Sequence, residues 1–160
     1  EYKAVDEVEL DKYMGYWYEV YEDNFDKLFQ RGTCASATYE LLENNQVNVL
    51  NQEINNKNNY ENITGVAYYK ENDCCGYLTV KLEDLQEAPY WILELGPIYD
   101  NLYDYAVVSD DKALSLFVLA RDVERFFELY NEEVLDSLNE FGFNKKYNSP
   151  LIMEQEDCNY

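Results

Sequence analysis

Eight short runs of β-forming residues, each closed off by polar, turn-prone residues, precede one amphipathic helix, and this order constrains the fold more than any other feature. The runs lie at roughly 15–22, 33–43, 46–54, 61–70, 76–83, 89–95, 102–109 and 113–121. Strands at this spacing build a sandwich or a barrel. Asn44 and Asn45 both tolerate positive φ, as a tight hairpin loop requires. Asp110, Asp111 and Lys112 mark another turn, and Asn55, Asn56, Asn58 and Asn59 read as a polar hairpin loop. No internal repeat or Pro/Ser-rich linker interrupts the chain, and 160 residues suit a single domain with one core.

The helix begins at Asn131, expected as its N-cap, with Glu132 and Glu133 in the first turn where the helix dipole favours acids. Tyr130, Val134, Leu138 and Phe141 recur at spacings of three and four and form one apolar stripe. Gly142 ends the helix, and Phe143 is placed to fold back on it. Residues 123–130 fit either an extension of the helix or a packed loop. The run from Leu114 to Arg121 is apolar on both faces: Leu114, Leu116, Val118 and Ala120 on one, Phe117 and Leu119 on the other. A strand buried on both faces needs cover, and the helix supplies it.

Charge narrows the function. The net charge of −21, with 33 acidic against 12 basic residues, argues against nucleic acid or an anionic membrane as partner. It also opposes close packing of copies, so a homo-oligomer requires the acidic faces to point outward. There is no His, which excludes imidazole-held metal or haem and any Ser-His-Asp or Cys-His catalytic set. No metal site is expected, and no window is long and apolar enough to be read as a transmembrane helix. The start at Glu1, with no Met and no signal-peptide pattern, is compatible with a removed signal peptide or with a later start.

Gly15-Tyr16-Trp17-Tyr18-Glu19 resembles the first lipocalin motif, G-x-W. YDYAVVS (103–109) occupies the place of the second, where T-D-Y is usual, and LFVLARD (116–122) resembles the third, an Arg ending the last main strand. FQRGTCASATYELLENNQVNVLNQE (29–53) and APYWILELGPIYD (88–100) resemble the apolipoprotein D and bacterial lipocalin branch, and order and spacing fit from about residue 8 to 158. The resemblance implies an all-β, eight-stranded antiparallel up-and-down barrel with one C-terminal helix outside and a short final strand. It implies a single lipocalin domain over 1–160, with a lead-in at 1–13 and a tail at 144–160. In that family the Arg lies across the Trp at the closed end, so Trp17 and Arg121 are expected to be structural. Such cation–π stacking contributes roughly 0.5–2 kcal/mol.

The same resemblance places Tyr39, Asn51, Leu82 and Tyr90 on a ligand cavity. Alternation adds Val49, Val80, Ile92 and Val107. With Arg121 inward, Phe117 and Leu119 join them; with Trp17 inward, Glu19 and Tyr21 do so too. Glu19 is read as a hydrogen-bonded structural carboxylate rather than a catalytic one. The mouth is expected at loops 23–32 and 55–62. Cys34 and Cys158 match positions that tie the second strand to the tail in apolipoprotein D-like lipocalins, which implies an oxidising compartment: secreted, or the lumen of the secretory or vacuolar system. For Cys74 and Cys75 a vicinal disulfide, free thiols and a bridge to another chain stand open. Asn62-Ile63-Thr64 is a glycosylation sequon.

The expected function is binding and transport, or sequestration, of a small hydrophobic molecule, with no dedicated cofactor beyond a bound lipid or tetrapyrrole. The alternatives are a lipid-modifying enzyme on the same fold, which would need a reactive Cys34, and a protective scavenger of haem or oxidised lipid active against oxidative stress.

Overall fold

Alternating residues and tight turns produce a sheet that closes on itself. A computed structural model describes residues 1–23 and 32–160. Its strands are β1 (Gly15–Glu22), β2 (Thr33–Leu41), β3 (Val47–Ile54), β4 (Tyr60–Tyr68), β5 (Tyr77–Leu82), β6 (Ala88–Leu95), β7 (Ile98–Tyr99), β8 (Leu102–Tyr103), β9 (Tyr105–Ser109), β10 (Leu116–Ala120) and β11 (Leu151–Ile152). The order β10-β9-β6-β5-β4-β3-β2-β1, with β10 pairing back to β1, is a closed eight-stranded antiparallel barrel; β11 adds to β1, and β7 and β8 form a separate small hairpin. Closure removes exposed sheet edges. The helices are a single turn α1 (Leu10–Tyr13), α2 (Val123–Leu129) and α3 (Asn131–Phe141). The expected mouth loop at 23–32 lies, apart from Asp23 and Gly32, outside the described residues.

Turn chemistry sets several boundaries. Asn44 and Asn45 have φ of 60° and 59°, and the flanking Leu42 N–H donates to the Gln46 carbonyl at 2.7 Å. The run expected to start at 113 begins as a strand only at Leu116, because the Asp110 carboxylate accepts from the backbone N–H groups of Lys112, Leu114 and Ser115. Those groups are satisfied inside the loop rather than on a ladder. The expected strand 102–109 likewise splits into β8 and β9 at Asp104.

Within the stretch 123–130, Val123–Leu129 form a helix of their own, capped by Asp122, which accepts from the Arg125 N–H at 2.8 Å. Asn131 is not the N-cap expected from sequence. It is the first residue of α3, and its Oδ1 accepts from the Tyr21 hydroxyl at 2.6 Å. The cap position falls instead on Tyr130, at φ −121° and ψ −15°, whose N–H closes α2 on the Phe126 carbonyl and whose carbonyl accepts from the Val134 N–H, without a side-chain cap bond. Gly142 ends α3 at φ +100°, and Phe143 N–H donates back to the Leu138 carbonyl at 2.9 Å.

Apolar side chains divide by strand face into two cores. The inner cluster, inside the barrel, holds Tyr13, Trp17, Tyr39, Val49, Ile92, Val108 and Leu119. The outer cluster packs Val20, Tyr21, Val107, Leu116, Val118 and Ala120 against Phe126, Val134 and Leu138 of the helices. Beneath the helices Asp104, 2% exposed, accepts from Arg125 Nε at 2.9 Å, from a terminal guanidinium nitrogen at 2.6 Å and from the Tyr130 hydroxyl at 2.8 Å. Burial acts to raise its pKa, but hydrogen bonds from Arg125 and Tyr130 outweigh that and hold the carboxyl below the ordinary aspartate value. The folded protein therefore takes up this proton less readily than the unfolded chain. The stabilisation is full above the unfolded value of about 3.9 and is lost as pH falls through the depressed folded value. The urea midpoint is expected to drop below about pH 4, and Asp104→Asn is expected to flatten that limb of the profile while lowering the plateau at neutral pH.

Candidate functional site

The closed end is built around the G-x-W segment. Gly15 has φ +96°, a conformation that L side chains avoid, and an added Cβ would come within 3.4 Å of the Arg121 guanidinium. Trp17 is fully buried, donates from Nε1 to the Tyr13 carbonyl at 2.9 Å, and is covered by Arg121 at 3.6 Å from the ring centroid. The Arg121 guanidinium donates to the carbonyls of Tyr103 at 3.0 Å, Tyr16 at 3.0 Å and Lys12 at 3.2 Å, so its donors close the barrel base. Burial lowers its pKa to about 10, which leaves it charged at neutral pH. The lead-in completes the base: Val5 N–H donates to the Ile92 carbonyl at 2.9 Å, and Glu9 N–H to the Tyr103 hydroxyl at 3.0 Å.

Above this base lies a cavity of about 1040 Å³ that opens at the other end of the barrel. A drug-sized or lipid-sized molecule needs roughly 300–1,000 Å³. Tyr39, Val49, Asn51, Val80, Leu82, Tyr90, Phe117 and Leu119, all expected there from sequence, line it together with Glu19. Its floor is a hydroxyl chain: the Tyr90 hydroxyl meets that of Tyr13 at 2.7 Å and that of Tyr39 at 2.8 Å, and the Tyr13 and Tyr39 rings stack at 5.6 Å. Burial raises the pKa of all three phenols, that of Tyr39 to about 12, so the floor is neutral and polar only at its hydroxyls.

Three expected positions fall elsewhere. Tyr21 points outward, to Phe126, Phe127 and Asn131. The cause is a bulge in β1: Glu19 pairs with Leu119 but Tyr21 with Val118, so Val20 is an extra residue and alternation restarts after it. Glu22 thereby reaches the cavity in its place. Val107 also faces outward, into the helix-packed core, while Val108 lines the cavity. Cross-strand partners share a face, and Phe117 pairs with Val108 whereas Val118 pairs with Val107. The inward assignment of Phe117 already contained this parity. Ile92 does face inward but is sealed in the base cluster, off the cavity wall.

Tyr13, Glu22 and Glu53 are parts of the site that sequence reasoning missed, whereas Glu61 lies within the expected mouth loop 55–62. Tyr13 sits in a lead-in with no strand periodicity, and only its closeness to Trp17 hints at its place. Glu53 stands at the end of β3, two residues beyond Asn51, so alternation carried one step further would have placed it on the same face.

Cys34 is joined to Cys158, so the thiol needed for an enzymatic reading is consumed; Cys74 and Cys75 form a vicinal disulfide, the first of the three alternatives left open by sequence. A bulge between Thr33 and Ser36 and a φ of 58° turn Cys34 toward the tail, where its N–H donates to the Glu154 carbonyl at 2.8 Å. Met153 N–H donates to the Val20 carbonyl at 3.0 Å, and Gln155 Nε2 bridges the carbonyls of Glu19 at 2.7 Å and Ala35 at 2.8 Å. The tail thus closes the seam where β1 and β2 part. Asn62 of the sequon is exposed at the cavity rim. Among the described residues no cluster of His, Cys, Asp and Glu suited to a metal ion occurs, and no helix is long and apolar enough to cross a membrane.

Residues 8–147 match a family model described as a lipocalin-like domain. Apolipoprotein D of Cavia porcellus is 39% identical over 101 residues, which cover 62% of this chain and 50% of that protein. The outer membrane lipoprotein Blc of Vibrio cholerae is 30% identical over 144 residues, 84% of this chain and 81% of that protein. The chain therefore spans about half the length of the apolipoprotein D relatives it matches. Insecticyanin from the tobacco hornworm Manduca sexta shares the fold at a TM-score of 0.70 and 15% identity, over 98% of this chain and 86% of that one.

Proposed function

Since the chain belongs to the lipocalin family, we propose that it takes up a small hydrophobic molecule in its barrel and carries or sequesters it. One observation supports this above others: the cavity is about 1040 Å³, opens at one end, and has a mainly apolar inner wall over a floor of neutral tyrosines. A barrel filled by its own side chains would leave no such volume. Apolar cargo of lipid or tetrapyrrole size gains from leaving water, while Asn51 and the tyrosine hydroxyls supply the few polar contacts that orient it. The reading is of a binding protein rather than an enzyme, with its cysteines in disulfides as the support. Two disulfides also favour a secreted or lumenal setting.

Protein purified from its native source is expected to release about one defined apolar molecule per chain into organic solvent, identified by mass spectrometry. An environment-sensitive apolar fluorophore should bind the emptied protein saturably. Leu82→Arg, which sets a charge on the apolar wall, is expected to weaken that binding by about tenfold or more. A native extract with no bound molecule, together with unsaturable fluorophore binding, would overturn the carrier reading.

A further inference from the structure

The three hydroxyls at the cavity floor cannot all satisfy one another. That of Tyr90 lies 2.7 Å from that of Tyr13 and 2.8 Å from that of Tyr39. Burial keeps all three phenols protonated at neutral pH, so each carries one O–H donor. Each hydroxyl–hydroxyl contact consumes one donor, and two contacts therefore leave one proton of the three over. Among the described residues no other hydrogen bond engages these hydroxyls.

The spare proton has three possible seats. Tyr90 stands in the middle with a single proton to give, so the unused donor falls on Tyr39, on Tyr90 or on Tyr13. Tyr39 and Tyr90 line the cavity. Tyr13 does not; it is 3% exposed, held between the rings of Trp17 and Tyr39. A donor left without an acceptor in the packed base bears its full desolvation cost, whereas a donor on the cavity side is open to the cargo. The arrangements that place it on Tyr39 or Tyr90 are therefore favoured.

The same count selects the group that completes the chain. A cargo hydroxyl accepts the spare proton but brings one of its own, so a longer chain again ends on an unused donor. An ionised carboxylate arrives with several acceptor sites against one spare donor, and most of its hydration goes unreplaced. A neutral carbonyl accepts and does not donate, and it leaves every proton of the chain paired.

We propose that the cavity floor selects cargo whose buried end is a neutral carbonyl, a ketone or aldehyde oxygen that accepts the spare phenol proton, with the apolar remainder directed to the mouth. The proposal rests on the carrier reading and sharpens it to a ligand class and an orientation.

Four probes of similar length test it: nonyl methyl ketone, the alkene in which a methylene group replaces its oxygen, the corresponding secondary alcohol, and undecanoate. Their affinities are measured by displacement of a neutral apolar fluorophore. The double variant Tyr39→Phe, Tyr90→Phe keeps both rings and removes both hydroxyls that reach the cavity. Its ratio of ketone to alkene affinity is expected to fall by at least about fivefold from that of the parent protein, because the ketone oxygen is left buried and unpaired. Both affinities are read on the same protein, so a general change of stability or cavity shape affects them alike. Tyr13→Phe leaves two hydroxyls, one contact and one spare donor, now confined to Tyr39 or Tyr90, and its ratio is expected to be at least that of the parent. In the infrared, the carbonyl stretch of the bound ketone should lie at lower frequency in the parent than in the double variant. A ratio and a carbonyl band both unchanged in the double variant would overturn the proposal. So would tighter binding of the alcohol or of undecanoate than of the ketone in the parent, or a loss of preference in Tyr13→Phe as complete as in the double variant. In each of these cases binding of the alkene leaves the carrier reading intact. Failure of all four probes to bind would overturn the carrier reading itself.

Discussion

Trp17→Ala is expected to cost about 3–5 kcal/mol, a large share of the roughly 5–15 kcal/mol that holds a domain of this size together. The ring is fully buried, and three kinds of contact end with it: the Nε1 hydrogen bond to Tyr13, the tilted packing on the Tyr13 ring at 5.3 Å, and the cover over Arg121. The last loss is the most damaging. The guanidinium would keep its three carbonyl partners but face a cavity with a charge that no ring quadrupole offsets. Arg121→Lys separates the contributions, because it keeps the charge while losing the planar fork that reaches several carbonyls at once. Urea unfolding should place Trp17→Ala lowest, Arg121→Lys between it and the parent protein. A Trp17→Ala midpoint equal to that of the parent would mean that the barrel base is not built on this stack.

The second large effect is expected from the disulfide between Cys34 and Cys158. It joins residues 124 apart, so it confines almost the whole barrel in one covalent ring even when unfolded. Chain-entropy estimates for a ring of this size are about 4–5 kcal/mol, with measured losses typically 2–5 kcal/mol. Cys34→Ser with Cys158→Ser should lower the melting temperature accordingly and free the tail at Gln155 and Met153. Cys74→Ser with Cys75→Ser serves as the internal comparison. That bond links adjacent residues and closes no loop of consequence, so its removal should change the melting temperature little. Equal losses from the two double variants would contradict the ring argument.

The barrel itself was legible in sequence because its signals are local and mutually consistent. Alternation, the paired Asn residues at 44–45, the Asp110 turn and the amphipathic stripe of α3 each act within a few residues of themselves. The Trp17–Arg121 contact was legible only through family resemblance, since the two lie far apart in the chain. The bulges were not legible at all: Val20 in β1 and Leu93 in β6 are ordinary β-forming residues, and the extra residue exists only relative to the partner strand. Each bulge reverses the inside-outside assignment beyond it, which is why Tyr21 was expected inside and Glu22 was not expected to reach the cavity. Val107 was misplaced for a different reason, because β9 was counted on its own rather than against β10.

The wall formed by β9 and β10 is a single strand thick, with the cavity on one side and the helix-packed core on the other. Val108, Phe117 and Leu119 face the cavity; Val107, Leu116 and Val118 face the helices. The shape of the cavity and the stability of the fold are therefore written on interleaved letters of the same two short strands. A descendant lineage can exchange the first set to reshape the cavity while the second goes on holding the scaffold. Two traits that share a stretch of gene are thereby left free to evolve at different rates.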